Sequence, residues 1–591
     1  MKKIISCMLV FCIILTLAQA VFAAQATVPV PEINPDTSNW FSWQLPDEEV
    51  AKGTAIDASY MHHKPAGKYG FVTTDGEYLK FKSEDGTLTP ARFWGTNITN
   101  SAFGDYEALN ELANRVARTG YNIVRFHALD ARGGTGSIFG NKNGRVSTTQ
   151  IDKDQLDRLF YLMSKLKENG IYFYLEINSY RHLESGDEIS AIVGEGRMGD
   201  AQDFCEELIQ LQKEYAKELF TTVNPYTGLA LKDDPALALV QLHNENSMAR
   251  LIEGNCSEDD RIYTNEYYKS ILNELFNDYL SERYESTEAL ENAWSDEDLT
   301  LTVLTEGESL EDKTIVFDYM YNTSSSTYTP ARKKDTNAFV YQTVGKTYAD
   351  MKNYIQNELG VKVPMTGVSL GANAANHVSM SLDDQFTDFV DMHAYNSHPD
   401  NSGDLIDGIT YGGMQSALLG NDSGEKIFDD ISTRRTVKPY IIGEYNQCIP
   451  NPYGAETEVL MAAMASLVNW YPFNYLMSSN GHIIYDKRDV LYDTFTSFTS
   501  PVRTAIQPSA ATMYLRGDIV EHTKRLEIPV LRDNLVNNTL NNGGYQLYGY
   551  INGRVKPMYK IYDDKTEYEK AIKNSKFISD YTYYKENLPW N

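Results

Sequence analysis

Two glutamates leave apolar runs at places where a carboxylate could do chemistry. Pro235-Ala-Leu-Ala-Leu-Val-Gln-Leu-His-Asn-Glu-Asn246 delivers Asn244 and Glu245 at its end, and Pro439-Tyr-Ile-Ile-Gly-Glu444 delivers Glu444. A short apolar run that exits through polar residues fits a parallel strand covered on both faces. Ligands bind at the carboxyl ends of such strands. A carboxylate there costs desolvation unless it has a partner or a task. Two of them facing one bond can act as a proton donor and a nucleophile.

Stepping outward from each glutamate, strand and helix patterns alternate. Leu109, Leu112, Ala113, Val116 and Ala117 recur at helical spacing before Gly120, and 121–127 reads as a strand. Leu156, Leu159, Phe160, Met163 and Leu166 repeat the pattern up to Gly170, a helix-stop glycine, and 171–178 is the next strand. Further helices are expected at 203–220, 338–359 and 456–468, and strands at 236–243, 364–368, 386–395, 439–444 and 473–478. An insertion at 249–334 interrupts the rhythm with helices at 263–284 and 286–294. Counting from Phe93 gives eight strands separated by helices, so the expected fold class is α/β, a (β/α)8 barrel.

The strand ends then gather Asn97, Arg125, His127, Asp130, Asn178, Asn244, Glu245, His393, Tyr395, Glu444 and 478–480 at one rim. The fourth and seventh strands, which carry the glutamates, face each other across the mouth. His127, Asp130 and His393 contain no close-spaced ligand pair. No metal and no cofactor is expected.

The rest of the chain sets the context. Met1-Lys-Lys, the apolar run 4–17 and small residues up to Ala23 have the three regions of a secretory leader, with cleavage after residue 23. The expected divisions are 1–23 leader, 24–90 N-terminal wrap and hairpin, 91–515 barrel, and 516–591 a C-terminal tail or partial β domain. Asp75-Gly76 and Asp85-Gly86 mark the hairpin turns. The Cys7 and Cys12 thiols leave with the leader, and Cys205, Cys256 and Cys448 remain at spacings that match no metal motif and allow at most one disulfide. Lys and Arg number 53 against 81 Asp and Glu, a net charge of -28 that disfavours nucleic acid and anionic membranes as partners. The mature chain is expected to be secreted, extracellular and free of the membrane.

Phe93-Trp-Gly-Thr-Asn97, Asn122-Ile-Val-Arg-Phe-His127, His243-Asn-Glu-Asn246, His393-Ala-Tyr395 and Gly443-Glu-Tyr445 resemble, in order, the strand-end motifs of clan A glycoside hydrolases, in particular the cellulase-like glycoside hydrolase family 5 and its relatives. The resemblance spans about residues 90–515. It implies a retaining β-glycosidase with Glu245 as acid/base and Glu444 as nucleophile, their carboxyl groups about 5–5.5 Å apart. On the same ground Arg125 and Tyr395 hydrogen-bond Glu444, Asn244 binds the sugar hydroxyl beside the anomeric carbon, and His127 and His393 line the subsite. Asn97 and Asn178 support the site, and Trp94 and Trp470 are candidate sugar platforms. The family's eighth-strand Trp is missing from the run that begins Phe473-Asn-Tyr475. The implied partner is a β-linked oligo- or polysaccharide, cut internally in a β-glucan or mannan type chain. An exo-acting, β-galactosidase-like enzyme and a non-catalytic glycan-binding barrel are the alternatives.

Overall fold

The computed structural model describes residues 38, 52–132, 136–140, 145–256, 260–369, 377–396, 399–400, 410–411, 416, 427–432, 435–448, 451, 453–478, 495–497, 500–537, 539 and 555–574. The leader, most of the wrap before residue 52, residues 479–480 of the expected rim and the tail pieces 540–554 and 575–591 lie outside them. Met1–Gln44 forms a unit of its own, and everything below concerns the second unit, Leu45–Asn591.

The barrel strands, called first to eighth below, are Gly95–Ile98, Ile123–Phe126, Tyr172–Asn178, Leu237–Asn244, Met365–Ser369, Val390–Tyr395, Tyr440–Asn446 and Trp470–Ser478. They pair in parallel in the order fifth, fourth, third, second, first, eighth, seventh, sixth. The ring closes between fifth and sixth, where the Asp388 N–H donates to the Met365 carbonyl at 2.7 Å and the Thr366 hydroxyl to the Phe389 carbonyl at 3.0 Å. Helices Tyr106–Arg118, Lys153–Glu168, Glu206–Thr221, Pro330–Lys352, Val378–Phe386, Ile427–Ser432, Glu456–Val468 and Pro501–Arg516 follow the strands in turn. This is a (β/α)8 barrel.

Local chemistry fixes the helix boundaries. Asp105 caps the first helix by accepting the Ala108 N–H at 2.9 Å, and Asp152 caps the second through Asp154 and Gln155. The expected helix 263–284 is instead two, Arg261–Thr264 and Glu266–Ser281, because Asn265 turns its side chain onto the N–H groups of Tyr267 and Tyr268 as an N-cap. The expected helix from 338 begins eight residues earlier, at the Thr329-Pro330 cap signal. Phe386, expected in the sixth strand, ends the preceding helix.

An antiparallel sheet of Phe71–Asp75, Tyr78–Lys82 and Leu88–Pro90 covers the amino end of the barrel. Phe81 packs on Phe93 and Tyr172, and the Leu79 N–H donates to the Tyr471 hydroxyl at 2.8 Å. In the tail, Arg525–Leu531 and Lys556–Tyr562 form a two-stranded parallel sheet joined to the body by Tyr559 N–H to the Arg435 carbonyl and Arg532 to Ser381. No disulfide joins Cys205, Cys256 and Cys448. Among the described residues no helix is long and apolar enough to cross a membrane.

Glu77, at the hairpin turn, is the buried node between hairpin, barrel and tail. Its carboxylate meets Arg435, Lys556 at 2.7 Å and Arg525 at 2.7 Å. Burial alone would raise its pKa, but the Arg435 and Lys556 charges outweigh burial and lower it from 4.5 to about 2. A lowered folded-state pKa stabilises above the unfolded value and loses that contribution as pH falls through the folded one. Glu77→Gln is therefore expected to cost about 3–5 kcal/mol at neutral pH. In urea unfolding across pH, its deficit against wild type should shrink below pH 4.5 and vanish towards pH 2.

Candidate active site

Arg125 emerges from the second strand into the barrel interior and is fully buried. Its Nη1 donates to Glu444 Oε1 at 2.7 Å and Asn97 Oδ1 at 2.8 Å. Its Nη2 meets Glu176 Oε2 at 2.7 Å, Asn244 Oδ1 at 2.8 Å and Gln241 Oε1 at 2.8 Å, and Nε also reaches Gln241 at 3.0 Å. Burial disfavours the guanidinium charge, but Glu176 and Glu444 reverse that, so its pKa rises. Asn97 in turn donates to the carbonyls of Gly443 and Asn474. One cation thus ties the first, second, third, fourth and seventh strands together at the rim.

Glu444 sits at a β-bulge. Met392 pairs with Ile442 but His393 pairs with Glu444, so Gly443 is skipped. Its N–H donates to Asp391 Oδ1 at 2.8 Å, and a Cβ at 443 would stand 2.5 Å from Asp391 Oδ2. Only glycine fits the bulge, and a bulge re-aims the next side chain. The Glu444 carboxylate accepts from Arg125 and, on Oε2, from the Tyr395 hydroxyl. Burial would raise its pKa, but His393, His127, Arg125 and the Tyr395 hydrogen bond together lower it from 4.5 to about 2. The group is a buried carboxylate held on the ionised side at neutral pH.

Glu245 differs. It follows the fourth strand with a left-handed φ of 47°, and its side chain is 38% exposed against 4% for Glu444. The carboxylate leans out of the strand into the mouth. Its polar contact is His393, whose Nδ1 lies 2.7 Å from Glu245 Oε1 and 3.4 Å from Glu444 Oε2. Burial lowers the His393 pKa, Glu444 and Glu245 raise it, and the net shift from 6.5 is upward. One oxygen each of Glu245 and Glu444 and one His393 nitrogen all lie within 4.8 Å of one another. That spacing would also suit a divalent cation.

The other expected residues divide. His127 lies beside the pair, with Nδ1 2.8 Å from Glu176 Oε2 and 3.7 Å from Glu444 Oε1. Asn178 does not join the Arg125 cluster, since its amide donates to Gln202. Trp470 requires correction as a platform. It opens the eighth strand at the amino end, away from the rim, and is wholly buried, with its ring packed on Tyr440. Trp94 is likewise buried, against Tyr445 and Tyr514. On the eighth strand the aromatic near the site is Tyr475, whose ring packs on His127 at 5.6 Å and Tyr395 at 5.8 Å.

Glu176, Gln241 and Asp391 were not among the expected site residues. Each had a signal. Glu176 and Asp391 stand two residues before Asn178 and His393, hence on the same strand face, and Gln241 is the lone amide in an apolar run.

No protein-family model and no curated protein matches the chain. Among solved structures it is similar to an endo-beta-1,4-mannanase from Thermotoga petrophila, at 13% identity over 74% of this chain and 82% of that one, with TM-score 0.42. It is also similar to a glycoside hydrolase family 5 mannosidase from Rhizomucor miehei, at 11% identity over 76% and 98%, TM-score 0.43. GH5_18 from Streptomyces cattleya in complex with GlcNAc matches at 11% identity over 81% and 95%, TM-score 0.45. The barrel itself is defined by its strand order, and its chemistry is read from the side chains.

Arg125→Met would leave Glu176 and Glu444 buried near each other without their shared cation. We expect a loss of about 3–5 kcal/mol in denaturant unfolding at neutral pH, largely recovered when Glu176→Gln is added. Equal stability of wild type and the single variant would contradict the role given to Arg125.

Proposed function

We propose that this protein is a retaining glycoside hydrolase acting on β-linked glycans, with Glu444 as nucleophile and Glu245 as acid/base. The observation that carries this reading is the close approach of the pair, with one oxygen of each carboxylate within 4.8 Å of the other. An inverting pair stands about 6.5–9.5 Å apart to admit a water between sugar and base, whereas a retaining pair is closer. The unlike environments of the two carboxylates support unlike roles. Glu444 is held ionised by Arg125, His393 and Tyr395, as a nucleophile requires. Glu245 faces the mouth, where a leaving group departs.

In the first step a Glu444 oxygen bonds to the anomeric carbon while the glycosidic C–O bond breaks and Glu245 protonates the departing oxygen. In the second, Glu245 takes a proton from water, the water oxygen bonds to the anomeric carbon, and Glu444 leaves as carboxylate. Arg125 and Tyr395 orient Glu444 throughout. His393, bridging the two glutamates, holds a proton within reach of Glu245. Asn244, steered by Arg125, and His127 are the candidate sugar contacts, and Tyr475 offers the aromatic face that Trp470 does not. Internal cleavage of a β-glucan or mannan type polysaccharide outside the cell is the finer reading. The five strand-end motifs and the leader-like start of the chain support it.

Glu444→Ala is expected to lose turnover by about 10⁴-fold or more and to regain part of it with azide, giving a glycosyl azide of inverted configuration. Product sizing on β-glucan, mannan, xylan and aryl β-glycosides should give mixed oligosaccharides released as the β-anomer. An α-anomer as first product would refute retention, and monosaccharide alone would refute internal cleavage. Because the pKa of His393 is raised, kcat/KM should fall on the alkaline side with an apparent pKa above 6.5, and this limb should move in His393→Asn. EDTA should leave the rate unchanged.

A further inference from the structure

We propose that Asp203, seconded by Gln202, is a positioning residue that aims Glu245. The inference rests on the reading of Glu245 as acid/base and adds the machinery that holds it. Glu245 has φ of 47°, a backbone state that residues other than glycine seldom adopt. Such a conformation persists only where its surroundings over-determine it. Relaxation to negative φ would swing the carboxylate away from the mouth.

The turn is held from one short segment. Gly199–Asp203 precedes the helix Glu206–Thr221, and its last four residues are buried. Asp203 Oδ2 accepts from the Ser247 hydroxyl at 2.6 Å and the Met248 N–H at 2.8 Å, immediately after the turn. Asp203 Oδ1 lies 3.4 Å from Nδ1 of His243, immediately before it. The His243 ring is held on its other side by Gln212, at 2.8 Å from Nε2. Gln202 Nε2 donates to the Asn246 carbonyl at 3.0 Å, and Gln202 is itself held by Asn178. Asn246 closes the loop by donating to the carbonyls of Ser179 and Asn244. The Asp203 backbone is pinned by the Thr347 hydroxyl at 2.7 Å. Asn246, Ser247 and Met248 are therefore tied to 202–203 or to Ser179 and Asn244 is held by Arg125, while the Glu245 side chain is left to His393 and the substrate. Asn178 accordingly serves the site through Gln202.

The test compares substrates that need a proton donor with substrates that do not. On aryl β-glycosides of the sugar the protein cleaves, Asp203→Ala should lose about 10²-fold in kcat/KM for a poor leaving group, the cost of a misplaced general acid. It should stay within about 3-fold of wild type for the 2,4-dinitrophenyl glycoside, which departs without protonation. Asp203→Asn, which can still accept at the Oδ2 position, should restore most of the loss. Ser247→Ala should fall in the same direction by a smaller factor, and it decides the matter if Asp203→Ala does not fold. Equal losses on both substrates, or none on either, overturn the proposal. Glu245→Ala is the control. If it depends on the leaving group and the Asp203 and Ser247 variants do not, only the positioning role falls. If Glu245→Ala is itself insensitive, the acid/base reading falls and takes the proposal with it.

Discussion

Taking a guanidinium out of water is expensive, and the barrel mouth is arranged around meeting that cost at Arg125. The side chain is fully buried, between the carboxylates of Glu176 and Glu444. Two buried carboxylates at this distance would repel without a shared cation, and a cation without them would be uncompensated. Three amide oxygens, from Asn97, Gln241 and Asn244, occupy the remaining donors. The arrangement is satisfied only when five strands are in register, so the electrostatics of the site and the closure of the barrel are one constraint.

From this follows the contrast between the two glutamates. Glu444 sits inside the charge network and is forced to remain an anion. Glu245, three strands away around the closed ring, lies outside it and touches only its edge, through His393. A reaction that needs one carboxylate always ionised and another that exchanges a proton requires such a division. His393, His127 and Arg125 around Glu444 supply the ionised half of it.

The architecture was legible because it depends on periodicity. Most of the strands and the longer helices between them are signalled residue by residue and the strand ends follow from them, whereas the short helices Val378–Phe386 and Ile427–Ser432 were not among the expected elements. The cluster was legible only as far as a strand end implies a direction. Asn97, Arg125 and Tyr395 meet because each points into the barrel, as alternation along a strand predicts, whereas Glu444 is re-aimed by the bulge at Gly443 and Asn244 stands three residues from Gln241 yet reaches the same guanidinium. Asn178 and Trp470 show where that reasoning stops. Asn178 stands on an inward face, yet its amide is taken up by Gln202 from a loop whose path no periodicity encodes. Trp470 lies just before the expected strand 473–478, the strand in fact begins at Trp470, and the ring is buried at the amino end of the barrel instead of at the mouth. Glu176 and Asp391 were readable by the two-residue repeat, since each precedes an expected site residue by one period. Nothing in the sequence announces their partners, because ion pairs between distant strands are set by closure of the ring.

Regular strands alone would not suffice for this chemistry. A strand presents side chains at fixed angles, and under the proposed mechanism two carboxylates from the fourth and seventh strands must converge on one bond. Both do so by a local departure from the regular form. Glu444 is turned by the Gly443 bulge, where the backbone N–H is received by Asp391 and no Cβ could be fitted. Glu245 is turned by its own left-handed residue, in a loop bound to Asp203 and Gln202. The two devices differ in how they are secured. A glycine makes the bulge sterically free, so Asp391 need only fill it, whereas a glutamate cannot be replaced by glycine and keep its carboxylate. The strain at 245 must therefore be offset by hydrogen bonds from neighbouring segments.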